Sequence, residues 1–159
     1  MKSLIIANWK CNPSTLREAK LLFNSLKRGL KKLRNIEVVI CPPFLYLSSF
    51  KFRVPSFKLG AQDVFWEERG AYTGEISLLM LKNIGVKYVI IGHSERRRIL
   101  RETDEMINKK IKATLNNKLK PILCIGETEE ERKEGKTFKI LENQIKKALF
   151  QIPKSKVRI

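Results

Sequence analysis

Two hydrophobic periodicities alternate along the chain. Short apolar runs at residues 4–7, 37–40, 88–91 and 121–125 have the length and β-branched content of buried strands, and residues 57–61 form a weaker strand signal. Between them, apolar residues recur every three or four positions. Leu16, Ala19, Phe23, Leu26, Leu30 and Leu33 form one such stripe, and Met106, Ile107, Ile111 and Leu115 a second. Phe138, Leu141, Ile145 and Leu149 form a third. Each predicts a helix with one buried face.

The punctuation agrees with that reading. Thr15-x-x-Glu18 has the form of a capping box, and Thr103-Asp104-Glu105 reads as a helix start. Pro42-Pro43 stops the second strand, and Gly85 fits the end of a short helix over residues 76–81. Residues 156–159 look like the opening of a sixth strand. The sum is one domain over residues 1–159: five β-α units with mostly apolar strands, hence a parallel sheet. A doubly wound sheet and part of a (β/α) barrel both fit. The absence of Gly-x-Gly-x-x-Gly and of a Walker loop argues against dinucleotide and ATP binding.

Composition changes this picture at one point. The chain has 33 Lys and Arg against 16 Asp and Glu, a formal net charge of +17. Such a surface attracts anions, phosphorylated metabolites and nucleic acid among them. Yet pairs such as Lys27-Arg28, Lys31-Lys32, Lys109-Lys110 and Lys146-Lys147 are scattered and read as solvated helix faces, with no specific nucleic-acid motif. Cys11, Cys41 and Cys124 are an odd set without a Cys-x-x-Cys, which points to a reducing compartment, the cytoplasm by default. No metal-ligand spacing and no membrane-spanning run is present.

Candidate chemistry sits where strands end. Asn8 and Lys10 follow the first strand, Gln62 and Asp63 the third, His93 and Glu95 the fourth, Gly126 and Glu127 the fifth. In a parallel sheet these points share one edge, and in a barrel one mouth. His93 is the only histidine. Ser94 is expected to cap the helix that follows, with Glu95 in its first turn. A helix N-terminus disfavours imidazolium, which predicts a neutral ring able to donate a hydrogen bond. A lone histidine in a turn is more often a packed residue than a reacting one. The nearby lysine alters that balance, because fixed positive charge beside a directed donor suits oxyanion stabilisation.

Five blocks then carry a resemblance. Ala7-Asn8-Trp9-Lys10-Cys11-Asn12, Gly60-Ala61-Gln62-Asp63 and Gly70-Ala71-Tyr72-Thr73-Gly74-Glu75 are three of them. Ile91-Gly92-His93-Ser94-Glu95-Arg96-Arg97 and Cys124-Ile125-Gly126-Glu127 complete the set. In order and spacing the chain resembles triosephosphate isomerases. The resemblance implies an incomplete TIM-type (β/α)8 barrel and interconversion of dihydroxyacetone phosphate and glyceraldehyde 3-phosphate through an enediolate, without cofactor or metal. That family is also a standard illustration of a neutral histidine electrophile. The implied roles are catalytic for His93 and Lys10, substrate-binding for Asn8 and Lys10, and supporting for Glu95 and Ser94. The loop around Thr73 would reach a second subunit of a homo-oligomer, with Glu75 meeting the neighbour's Arg96. Asp63 stands where the family more often has Asn.

A complete barrel of this type has about 250 residues. The resemblance places the glutamate base, the lid loop and the later phosphate-binding loops beyond residue 159. The expected consequences are very low activity for these residues alone, and an open sheet with exposed edges and inner apolar faces. Three explanations are expected in this order: a fragment of a longer reading frame, a split barrel completed by a C-terminal half, and self-association. The competing functional class is a non-catalytic binding or assembly protein with a basic, anion-attracting surface.

Overall fold

The computed structural model describes residues 3–30, 35–50 and 57–157. Five strands form one parallel sheet in sequence order: β1 (Ser3–Asn8), β2 (Ile36–Cys41), β3 (Lys58–Ala61), β4 (Tyr88–Ile91) and β5 (Lys120–Leu123). The helices are α1 (Leu16–Gly29), α2 (Phe44–Leu47), α3 (Leu78–Asn83), α4 (Ser94–Ile99), α5 (Asp104–Asn116), α6 (Glu129–Lys133) and α7 (Thr137–Ala148). Leu33 of the first predicted stripe, the pair Lys31-Lys32, and Arg158 and Ile159 of the predicted sixth strand lie outside the described residues.

Strand alternation builds two apolar layers. Val38, Ile40, Leu59, Ala61, Val89 and Ile91 share a cluster with Ala19 and Phe23 of α1, Leu78 and Leu81 of α3, and Ile107 and Ile111 of α5. The intervening residues Val39, Cys41, Tyr88 and Ile90 form a separate cluster with Ile6, Ile122 and Cys124. That cluster draws on β1, β2, β4 and β5. In a flat sheet with neighbours about 4.8 Å apart, the first and fifth strands would be roughly 19 Å apart. One packed cluster across that span requires the sheet to curl, as a barrel wall does.

Helix starts follow side-chain chemistry. Thr15, Ser77 and Thr103 accept hydrogen bonds from the backbone N–H of Glu18, Met80 and Met106. Two elements go beyond the sequence pattern. The charged segment after β5 contains its own helix, α6, closed by a reciprocal capping box between Thr128 and Glu131. The residues after Pro43 form the single turn α2, whose Tyr46 and Leu47 are buried.

Two expectations need correction. Lys154–Lys156 is a 3-10 turn, so the predicted strand does not include Lys156; Val157 alone is extended among the described residues there. The turn closes because the Lys156 N–H reaches the Pro153 carbonyl at 2.9 Å. Exposure of inner apolar faces is also narrower than predicted. Leu4 and Ile5 of β1 are about half exposed, at 47% and 49%, but β2, β3 and β4 bury both faces against neighbours.

Gly60 faces the inner layer. A Cβ there would collide with Cys41 Sγ and lie 2.8 Å from Val39 Cγ1. Both neighbours are buried in the sheet and have nowhere to move. Gly60→Ala is expected to lower unfolding free energy by about 1–3 kcal/mol. Urea denaturation would read this as a lower midpoint with an unchanged slope.

Candidate active site

The first component is the turn after β1. Lys10 adopts a left-handed backbone, φ 54°, which costs a non-glycine residue energy unless its surroundings hold it. Asn8, Gln62 and Trp9 do so. The Asn8 side-chain oxygen accepts from the Lys10 N–H at 2.9 Å. Gln62 Nε2 donates to the Lys10 carbonyl at 2.8 Å and to the Cys41 carbonyl at 2.9 Å. The Trp9 N–H donates to the same Cys41 carbonyl at 3.0 Å, while its ring meets Phe50 edge-on at 6.1 Å. The turn is thereby tied to the ends of β2 and β3, and the lysine side chain leaves it in a fixed direction.

The second component follows β4. Gly92 has φ 76°, and a Cβ there would meet the Arg97 guanidinium, the Cys124 carbonyl and Ile107, each at 3.1 Å. Arg97 holds the turn from behind. Its Nε donates to the Gly92 carbonyl at 2.8 Å, its Nη1 meets Asp104 at 2.7 Å, and its Nη2 reaches the Cys124 carbonyl at 3.4 Å.

His93, rather than Ser94, is the cap of α4: its Nδ1 accepts the Glu95 N–H at 3.3 Å. The imidazole is one bond longer in reach than the serine and already sits at the half-in position. Ser94 is exposed in the first helical turn. With the Nδ1 lone pair engaged, a neutral ring carries its proton on Nε2, pointing away from the helix. Glu95 Oε2 also approaches Nδ1, at 3.5 Å.

Glu95 joins the two components. Lys10 Nζ lies 2.7 Å from Glu95 Oε1, across 85 residues of sequence. That hydrogen bond, with the lysine charge, holds the Glu95 carboxyl below the usual carboxylate range. A fixed ammonium and a ring N–H now share one carboxylate neighbour at the C-terminal edge of the sheet. Such a pair can stabilise negative charge on a bound oxygen. Cys41 offers no nucleophile beside it, since burial pushes its thiol up to about 12.

Comparison with known proteins completes the picture. The family model for triosephosphate isomerase matches residues 3–159. A triosephosphate isomerase of Aquifex aeolicus is 49% identical over 94% of this chain and 61% of its own length. One from Thermoanaerobacter pseudethanolicus is 51% identical over 93% and 60%, and one from Dictyoglomus turgidum 47% over 98% and 63%. The chain belongs to the triosephosphate isomerase family. It spans about three-fifths of the length of these relatives, corresponding to their N-terminal portion.

Within this triosephosphate isomerase fold, Arg96 and Asp63 belong to a buried ion cluster behind the site. Lys110, with 3% of its side chain exposed, meets both Asp63 oxygens at 2.7–2.8 Å and also Glu102 Oε1. Arg96 reaches Asp63 at 2.8 Å and Glu102 at 2.5 Å. Arg96 thus holds two carboxylates of its own chain, while Thr73 and Glu75 lie in an exposed loop. Sequence reasoning placed Gln62 at a strand end without a role and left Lys110 on a solvated face. Asp63, two residues past the end of β3, was the available signal, since an acid entering a buried sheet edge needs a partner.

Burial pushes the Asp63 carboxyl from its ordinary 3.8 to about 6, with Glu102's charge adding to this and Lys110 and Arg96 opposing it. Burial acts the same way on Glu102, but hydrogen bonds from Lys110 and Arg96 leave that group below the usual range. Between about 3.8 and 6 the native state holds a proton on Asp63 that the unfolded chain lacks. This contribution to stability is full below 3.8 and lost as pH rises through about 6. Asp63→Asn should remove it. The difference in unfolding free energy between parent and variant should then change with pH across that window, by up to about 1.4 kcal/mol per pH unit. A difference that stays flat in urea titrations from pH 4 to 7 would contradict the assignment.

Proposed function

We propose that the chain carries the electrophilic side of a triose-phosphate isomerase site, acting on dihydroxyacetone phosphate and glyceraldehyde 3-phosphate through an enediolate. The observation that carries this reading is the Lys10–Glu95–His93 arrangement: an ammonium at 2.7 Å from a carboxylate whose own backbone N–H fixes the imidazole tautomer. When a proton leaves the carbon beside the carbonyl, negative charge moves to the carbonyl oxygen. Lys10 stabilises that charge electrostatically, and His93 Nε2–H donates to it. Asn8 holds the Lys10 turn and helps to place the substrate. Glu95 keeps the ammonium aimed, and the basic surface favours approach of a phosphate ester.

No described residue is assigned as the base that takes the carbon proton. Glu95 is engaged by Lys10, and Glu127 accepts from Thr137 Oγ1 at 3.2 Å. The family resemblance puts that base beyond residue 159. In this reading the Thr73 loop reaches the Asn8–Lys10 turn of a second copy, Glu75 meets that copy's Arg96, and the setting is cytoplasmic. The exposure of Thr73 and Glu75 supports the first point, and three thiol cysteines support the last.

The test joins residues 1–159 to the C-terminal two-fifths of the Aquifex aeolicus relative and follows triose phosphate interconversion in a coupled assay. The folded chimera should turn over substrate. His93→Gln and Lys10→Met should each lower kcat by about 10²–10³-fold, the usual cost of losing one oxyanion partner. A folded chimera that is inactive, or one indifferent to both substitutions, would sink the proposal.

A further inference from the structure

A groove of about 340 Å³ lies away from the strand ends, between the C-terminal part of α5 and the segment after α7. Lys112, Leu115, Asn116, Gln151, Ile152, Pro153 and Lys156 line it. Its size is at the lower end for small-molecule sites. Positions 108, 112 and 115–116 share one face of α5, so a single helix supplies one wall.

The opposite wall is held in place. Asn108, buried, donates through Nδ2 to the Ala148 carbonyl at 2.8 Å and the Phe150 carbonyl at 3.0 Å. This fixes the chain as it leaves α7, and the next residue, Gln151, has a left-handed backbone with φ 59°. Gln151 Oε1 accepts from Lys112 Nζ at 3.2 Å, and the same ammonium lies 5.6 Å from the Phe150 ring centroid. With its oxygen used, Gln151 keeps its two amide N–H donors. Lys112 retains further donors, and Lys156 and the Asn116 amide stand beside it. Among the described residues neither Lys112 nor Lys156 pairs with a carboxylate, and no acid lines the groove. Two ammonium groups without a carboxylate, beside the apolar Leu115, Ile152 and Pro153, define the ligand's chemistry: several anionic oxygens on a short carbon body.

We propose that this groove binds a small phosphate monoester, at a site separate from the Lys10–His93 pair. Two ammonium groups match the dianion charge, the amides take remaining oxygens, and the apolar wall receives the esterified carbon group. The site does not depend on the isomerase reading, because none of its residues takes part in that chemistry.

The test is a site-resolved NMR titration of the full chain with phenyl phosphate and, separately, inorganic phosphate, each matched in ionic strength by sodium chloride. Phenyl phosphate should shift the amides of residues 112–116 and 151–152, with a dissociation constant on the order of a millimolar or tighter. Inorganic phosphate should move the same amides with weaker affinity. Lys112→Gln with Lys156→Gln should weaken binding at least about tenfold. The control pair Lys118→Gln with Lys139→Gln makes the same charge change outside the groove and should alter it less than about twofold. Equal weakening by both pairs, or shifts reproduced by sodium chloride alone, would overturn the proposal, as would groove amides that do not move.

Discussion

The position of α4 depends on one buried ammonium. Lys110 comes from α5, yet its Nζ meets the carboxylate after β3 and the carboxylate that follows α4. Arg96, on α4 itself, closes the set against the same two acids. Two cations and two anions in a nearly dry space attract each other strongly, but each would be costly alone. The four therefore have to be satisfied together, and the elements that carry them lose their freedom together. The site inherits this. Asp63 follows Gln62, the clamp on the Lys10 turn, and Arg96 is three residues past His93.

A second constraint acts through Glu95. Its backbone N–H fixes the imidazole and its carboxylate fixes the ammonium, so one residue sets both tautomer and aim. The first is local to the start of α4, and the second needs Lys10 to reach across from the turn after β1. The left-handed Lys10 backbone makes that reach possible, and Asn8 and Gln62 stabilise the turn locally. Strain in a turn beside the candidate site is tolerable because several independent hydrogen bonds determine the same geometry.

What the sequence revealed followed from periodicity. Apolar runs of four or five residues located all five strands within about two positions, and threonine caps located α1 and α5. The mouth was legible because parallel strands must deliver their C-terminal ends to one edge. Three of the features that were not legible show why. α6 hides in a run of charges because a capping box and i,i+4 ion pairs such as Lys133–Glu129 stabilise it without an apolar face. Ser94 outranks histidine as a cap by frequency, but the imidazole has the reach and occupies the cap position. Lys110 looks solvated in sequence beside Lys109, since nothing local reveals the acids 8 and 47 residues away.

The edge position of β1 gives these clamps their importance. β1 pairs with β2 alone among the described strands, and Leu4 and Ile5 near its start are half exposed, whereas its end carries Asn8 and leads to Lys10. An edge strand with one ladder frays more readily than a central one. The chain counters this at the functional end only. The bond from Trp9 to Cys41 extends the ladder past its last strand residue, Gln62 bridges to the third strand's terminus, and Lys10 is tethered to the helix after the fourth. Order at the mouth is thus decoupled from order at the strand's beginning. The two catalytic candidates can keep their geometry even where the apolar flank of β1 remains accessible to whatever pairs with it.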